Sequence, residues 1–185
     1  WVHDLERGTS SVLFDLGAMM GFGGVLPDGR LFESSPDGSD IITRLHGMDA
    51  DEEGAVLNQG ILAAYFAGSQ RFVYLSGMMR DDSQTWVAHP APESELVLFQ
   101  PEGIDVALRD MTDDGRWVLY ESDRTGEVQV YLSEYPYAGR SWPVSIDGGE
   151  DAWFDDEASA IYYADRVDRV RMVYRVLFAD EPEVR

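Results

Sequence analysis

Carboxylates are the chemically active side chains that this sequence supplies in quantity. Its 185 residues include 35 Asp and Glu, 14 Lys and Arg, and no Cys. Two carboxylates about 5 Å apart can cleave a glycosidic bond, and six to eight converging oxygens can bind calcium. With so many acids, some pair lies close together in any fold, so their number indicates neither chemistry. The absence of Cys excludes disulfides, thiol nucleophiles and thiolate metal sites.

Two clusters of acids are the candidates for a cation site. One consists of Asp110, Asp113 and Asp114, and the other of Glu150, Asp151, Asp155, Asp156 and Glu157. Neither belongs to a twelve-residue helix–loop–helix calcium loop. We therefore expect these acids to serve in turns and as solvated charge. Calcium at an acidic turn is the single cofactor that we keep as a possibility, and we assign no metal ligands.

Catalytic motifs are missing from the sequence. There is no Gly-x-Ser-x-Gly elbow, and the glycine-rich residues 21–24 lack the Lys of a phosphate loop. The histidines His3, His46 and His89 lie at equivalent points of successive repeats, so we do not expect them to converge on one metal. We assign no catalytic residue and predict that the chain is not an enzyme.

The charge balance limits the partners. The net charge is −21, and every basic residue is Arg. A chain this acidic repels phosphate backbones and anionic membrane surfaces, so we expect no nucleic-acid binding. No apolar run approaches the roughly 18 residues of a membrane span, so we expect no membrane insertion.

An internal repeat of about 43 residues organises the chain. Large apolar residues recur at this spacing at Trp1, Ile42, Trp86, Tyr131 and Tyr174, in segments of alternating polarity. We expect them to occupy matching positions in the third strand of successive four-stranded sheets. Short strands at this period are typical of β-propeller blades, which are about 40–50 residues long. A β-sandwich is the main alternative, but it gives no reason for a constant spacing.

The other strands of each repeat have their own markers. Second strands are predicted at residues 71–75, 116–120 and 159–163, and Asp-Gly turns precede them at Asp28-Gly29 and Asp114-Gly115. Residues 68–70 and 156–158 replace that turn in two repeats. Fourth strands are predicted at residues 12–14, 56–58, 97–99 and 143–145. Residues 57–66 are the nearest helical candidate, although they suit a buried innermost strand equally well.

These markers predict an all-β propeller of about four antiparallel four-stranded blades in one domain spanning residues 1–185. Residues 1–14 end a preceding blade, and residues 150–185 form a partial blade. Full blades are predicted at 15–60, 61–103 and 104–149. Because such a set leaves sheet edges open, we favour a piece of a longer ring, or two copies in a homodimer that completes the ring. A small closed ring of four blades is the alternative.

The repeat also resembles a known family. Residues 113–124, with Asp114-Gly115-Arg116 before an apolar strand, are similar to the repeat of TolB-like, or WD-repeat-like, propellers. Residues 127–149 resemble propellers that follow bacterial serine/threonine kinase domains. The resemblance implies a non-catalytic ring of six or seven blades that serves as a contact, sensor or gate module beside another domain. It also favours a periplasmic or extracytoplasmic location.

Propellers bind ligands at the mouth of the central channel, where loops enter the innermost strands. The ligand-binding candidates there are Glu102, Asp105, Arg109, Glu150, Asp151 and Trp153. We predict a binding or sensing module that contacts a protein partner or small ligand, as part of or derived from a larger signalling or secretory protein. The alternative is an enzyme-associated propeller, either the gate of a prolyl-oligopeptidase-like hydrolase or a glycan-active propeller.

Overall fold

All regular structure in the part of the chain that can be described is β-strand. A computed structural model describes residues 2–4, 9–11, 22–38, 40–47, 54–76, 84–89, 94–99, 101, 106–155, 159–167 and 170–177. No helix long and apolar enough to cross a membrane occurs among them. The predicted all-β class is confirmed.

These described residues contain seventeen strands. They are β1 Val2–Asp4, β2 Thr9–Ser11, β3 Phe22–Val25, β4 Leu31–Asp37, β5 Asp40–His46, β6 Ala55–Gln59, β7 Ile61–Phe66, β8 Arg71–Ser76, β9 Gln84–Ala88, β10 Val97–Phe99, β11 Val106–Met111, β12 Trp117–Ser122, β13 Gln129–Glu134, β14 Ser141–Pro143, β15 Glu150–Asp155, β16 Ala160–Val167 and β17 Val170–Leu177.

The strands form four successive antiparallel sheets and one hairpin. Sheet I contains β3–β6, sheet II β7–β10, sheet III β11–β14 and sheet IV β15–β17, while β1 pairs with β2 alone. Strands within each sheet are neighbours in chain order. The first strands β3, β7, β11 and β15 adjoin one another from sheet to sheet. Consecutive four-stranded meanders whose first strands meet are propeller blades, so the predicted partial propeller of about four blades is confirmed.

The core lies between the sheets, and sheets II and III contribute apolar side chains from both of their faces. In the second strand of sheet III, Trp117 and Leu119 pack against sheet IV, whereas Val118 and Tyr120 pack against sheet II. Such alternation is what the period of two in a strand requires. A separate cluster, which includes Phe32 and Phe72, joins sheets I and II. No sheet buries both faces alone, so the blades depend on their neighbours.

The repeated large residues of the third strands lie where the sequence predicts for three of the four sheets. Each of these three residues pairs with a tyrosine on the second strand of its own sheet, and the pairs are Tyr74 with Trp86, Tyr120 with Tyr131, and Tyr163 with Tyr174. Ile42 also lies in a third strand, but it pairs with Ser35. Trp1 lies outside the described residues. The 43-residue spacing therefore reflects one aromatic cross-strand pair in each of sheets II, III and IV.

The turn before the second strand adopts a left-handed backbone in every sheet. Gly29 and Gly115 provide it with φ of 86° and 71°, as the Asp-Gly signal predicts. In sheets II and IV, where that signal is absent, Gln70 and Ser159 adopt φ of 51° and 45°. The turn geometry is therefore imposed by the sheet even where the residue does not favour it.

Two sequence expectations about strands need correction. The fourth strand of sheet III is Ser141–Pro143, two residues before the predicted 143–145, and Val144 instead donates its N–H to the Val130 carbonyl. The helical candidate at residues 57–66 is split between β6 and β7, with Gly60 at φ 126° between them. Fourth strands at 56–58 and 97–99 are confirmed within β6 and β10. Residues 12–14 lie outside the described chain.

Candidate functional site

Two of the predicted site residues lie at equivalent irregularities of neighbouring innermost strands. The register between β11 and β12 shifts at Arg109, and the register between β15 and β16 shifts between Glu150 and Trp153, where Asp151 lies. Bulges of this kind redirect side chains and are enriched beside functional sites. Glu102 and Asp105 lie outside the described residues, so their predicted contribution is neither supported nor opposed.

Arg109 is held by a carboxylate that the sequence analysis did not select. Its Nη2 donates to Glu121 Oε2 at 2.6 Å, and the side chains are 40% and 6% exposed. The Glu121 bond is the main reason why the pKa of Arg109 is raised, and the charges of Asp151 and Glu150 add to it. Arg109 is therefore surrounded by three carboxylates from two sheets.

Glu121 also links sheet III to sheet IV. Its Oε1 accepts the backbone N–H of Asp151 at 2.6 Å, and Asp151 has a φ of 51°. One buried carboxylate thus receives a guanidinium from its own sheet and an amide from the next sheet. Two charge-assisted bonds of this length offset the cost of burying the carboxylate.

Asp110 makes a second link of the same kind. Its Oδ2 accepts the N–H of Phe154 at 2.7 Å, and its Oδ1 accepts the N–H of Met111 at 2.8 Å. The sequence analysis included Asp110 in an acidic cluster that was a candidate for a cation site. In the structure, its carboxylate accepts hydrogen bonds from these two backbone amides. Glu121 could have been found from its alternation with Trp117 and Leu119, because an acid in a row of buried residues needs a partner.

Trp153 does not join the Arg109 cluster. Its neighbours Ala152 and Phe154 pack toward sheet III, so the side chain of Trp153 points to the opposite face of sheet IV. There its ring stacks on Tyr162, with centroids 5.4 Å apart and planes 11° apart, and it remains 40% exposed. The four described candidates therefore divide between two places. Arg109, Glu150 and Asp151 lie together, and Trp153 belongs to another surface.

The acidic turns are occupied by local hydrogen bonds. Asp114 accepts from Thr112 Oγ1 at 2.6 Å and from the Arg116 N–H at 2.9 Å, and these bonds lower the pKa of Asp114. In the described part of the chain, no three His, Asp or Glu side chains converge as a metal ligand set. Asp156 and Glu157 lie outside it, and calcium at an acidic turn stays a prediction.

Comparison with known proteins identifies the fold. No family model and no curated protein matches the chain. Among solved structures, TolB from Acinetobacter baumannii matches 84% of this chain and 40% of its own, with a TM-score of 0.58 and 14% identity. A protein assigned as TolB from Agrobacterium tumefaciens matches 95% of this chain and 64% of its own, with a TM-score of 0.63 and 10% identity.

The chain therefore spans less than two thirds of each of these two structures. At such low identities the likeness establishes the propeller fold of TolB for the four sheets, as the sequence repeat predicts. The resemblance to kinase-linked propellers is not addressed by either structure and stays a prediction.

Proposed function

We propose that this chain is a protein-binding propeller module and that its contact surface is the open face of sheet IV. We use this name for the side chains of Trp153, Tyr162, Val173, Arg175 and Leu177, which the strand register places on one side of the sheet. Trp153, Val173 and Leu177 are 40%, 57% and 75% exposed. Clustered exposed apolar side chains are typical of protein contact sites.

Sheet III supports this proposal because its corresponding face is packed. Trp117, Leu119 and Val130 on that face are each at most 3% exposed, since sheet IV covers them. Among the described residues, the apolar clusters involving sheet IV lie on its sheet III side. The open face of sheet IV thus has the composition of half an inter-blade interface. Its natural partner is another β-sheet with an apolar face.

The partner to which we commit is a second copy of this chain. Val25 and Val56 are 62% and 51% exposed, and the register places both on the face of sheet I that points away from sheet II. Val25 and Val56 are thus exposed apolar side chains at the two edges of this face, whereas Leu31, Glu33 and Ile42 between them are at most 8% exposed. When sheet IV of one copy packs on sheet I of another, the contact is of the same kind as the contacts between neighbouring sheets within the chain. Two such contacts would close a ring of about eight blades.

Sedimentation velocity of the purified chain between about 1 and 100 μM tests this function. We expect a dimer that Leu177→Asp and Val56→Asp each convert to monomer, because either charge would be buried in the contact. Ile146→Asp is the matched control, since Ile146 is 80% exposed but lies outside both faces. Circular dichroism confirms that each variant is folded.

Two results would overturn the proposal. A wild-type chain that stays monomeric throughout this range would show that a second copy does not occupy the face and that another sheet or protein must do so. Equal loss of the dimer in Ile146→Asp would show that the association is non-specific.

A further inference from the structure

A cavity lies between sheets II and III, at the edge where the turns before the second strands are found. Its volume is about 360 Å³, within the range of small-molecule sites. Arg71 and His89 line it from sheet II, and Tyr135 lines it from sheet III. It lies between sheets II and III, whereas Glu121 bonds across to sheet IV, so it requires its own explanation.

The cationic side of the cavity is the guanidinium of Arg71. Arg71 is half-buried, donates to the Ser69 carbonyl at 3.4 Å and contacts the ring nitrogens of His89. Within the described ranges Arg71 has no carboxylate ion pair, in contrast to Arg30, Arg44 and Arg109. In a chain of net charge −21, this arginine is placed to accept an anion from outside.

Two residues with hydroxyl groups line the same cavity as that guanidinium. Tyr135 is half-buried beside the cavity, and burial raises the pKa of its phenol, while Arg71 opposes and Glu95 reinforces the rise. The phenol therefore remains a protonated donor at neutral pH. The Tyr135 backbone is fixed by its N–H bond to the Arg116 carbonyl at 2.8 Å. Ser94 also lines the cavity.

The rest of the cavity wall is apolar. Val97 is partly buried and Pro136 is exposed, and these two residues line the cavity from sheet II and sheet III beside the charged groups. A ligand must therefore combine an anionic group with a small hydrocarbon group. Glu95 at the edge adds a negative charge, which disfavours a second anionic group on the ligand.

We propose that this cavity binds a monocarboxylate with a short aliphatic chain. Its carboxylate accepts hydrogen bonds from Arg71, with Tyr135 and Ser94 as further donors, and its hydrocarbon chain packs on Val97 and Pro136. An arginine fork matches both oxygens of a carboxylate, and the apolar wall accounts for the alkyl group. A free organic acid and the C-terminal carboxylate of a peptide ending in an aliphatic residue share this chemistry.

The test is an NMR titration of the ¹⁵N-labelled chain with isovalerate and, separately, with isovaleramide. We expect saturable shifts for isovalerate and at least tenfold weaker binding of the neutral amide, because the amide removes the charge that Arg71 recognises. Arg71→Gln should weaken isovalerate at least tenfold, and Tyr135→Phe several-fold. Arg140→Gln is the matched control, since the Arg140 guanidinium lies over Trp142, outside the cavity.

A second pair of probes identifies the source of the carboxylate. Acetyl-Ala-Val with a free C-terminus and its C-terminal amide are titrated in the same way. Binding of the free peptide supports a peptide end as ligand, and binding of isovalerate alone supports a free acid. The proposal is overturned if isovalerate gives no saturable shift up to about 50 mM, if isovaleramide binds equally well, or if Arg140→Gln weakens binding as much as Arg71→Gln. Spectral dispersion shows that each variant is folded.

Discussion

The two faces of sheet III are joined to their neighbours in different ways. Toward sheet II the contact is aromatic and aliphatic, with Tyr120 stacked on Tyr131 and placed edge-on to Phe99. Toward sheet IV an apolar cluster is supplemented by Glu121 and Asp110, which accept backbone amides of β15. One sheet thus uses shape complementarity on one side and adds directional hydrogen bonds on the other.

This difference indicates what each junction can specify. Apolar packing tolerates small shifts, whereas a buried carboxylate is stable only if its particular donors are in place. The bonds from Glu121 and Asp110 therefore fix the first strand of sheet IV where its register is irregular. A weaker hydrogen bond of the same kind joins sheets I and II, where Ser34 Oγ accepts the N–H of Leu62 at 3.1 Å. A second-strand side chain that receives an amide from the next sheet is thus a recurring device.

The largest effect should come from the packed side of sheet III. Tyr120→Ala removes a completely buried ring from the junction with sheet II, and we expect it to lower the free energy of unfolding by about 3–5 kcal/mol. Tyr163→Ala is the control at the equivalent pair of sheet IV, where the ring is only half-buried and the loss should be roughly half as large. Urea denaturation measures both, and equal losses would contradict the role assigned to burial.

The polar side of sheet III should be the next most sensitive. Glu121→Ala leaves Arg109 and the Asp151 N–H without their acceptor, and we expect a loss of about 2–4 kcal/mol in the free energy of unfolding. Glu121→Gln keeps one acceptor and should cost less. Glu127→Ala removes an exposed acid of the same sheet and should change stability by under about 0.5 kcal/mol. If Glu121→Ala were as mild as this control, the link would be energetically unimportant.

The turn before the second strand of sheet II, beside the apolar junction, should contribute less to stability than the corresponding turn of sheet III. Gln70 occupies the left-handed conformation that Gly115 adopts in sheet III. We expect Gln70→Gly to raise the free energy of unfolding by up to about 1 kcal/mol, because glycine has no side chain to strain there. Gln129→Gly, within strand β13, should instead lower it. A loss of stability in Gln70→Gly would argue against backbone strain at this turn.

The smallest effect at neutral pH should come from Tyr120→Phe. Burial raises the pKa of Tyr120 above that of the unfolded chain, so its contribution is complete below about pH 10 and is lost as the pH rises further. We expect the variant to be within about 0.5 kcal/mol of wild type at pH 7 and to lose less stability than wild type at pH 11. Denaturation curves at both values measure the difference, and parallel losses would show that Tyr120 does not titrate on unfolding.

The sequence predicted much of the sheet architecture because its signals are local. Asp-Gly before an apolar run identified two turns, and the spacing of Trp86, Tyr131 and Tyr174 identified third strands. The relation between blades was harder to predict. Leu26 bonds to the Arg30 carbonyl, but Thr112 bonds to the Trp117 carbonyl, so the turn of sheet III is one residue longer. A shift of one residue exchanges the faces of a strand, which aligned sequences do not reveal.

The candidate site shows the same limit. Arg109, Glu150 and Asp151 were selected because loops entering innermost strands are common contact positions, and the structure brings them together around Glu121. Glu121 itself was missed, because its partner Asp151 lies 30 residues away in the next sheet. Trp153 lies on the other face of sheet IV, because one residue along β15 reverses the direction of the side chain.

The sequence by itself determined that this chain forms successive antiparallel sheets with aromatic second and third strands. Alternation and turn chemistry act over a few residues, so they are legible in the order of the amino acids. Only the tertiary structure decided which carboxylate receives which amide, that Gln70 adopts a left-handed backbone, and which apolar face is left open. These features depend on how one sheet packs on the next, and that packing joins residues such as Asp110 and Phe154, 44 positions apart.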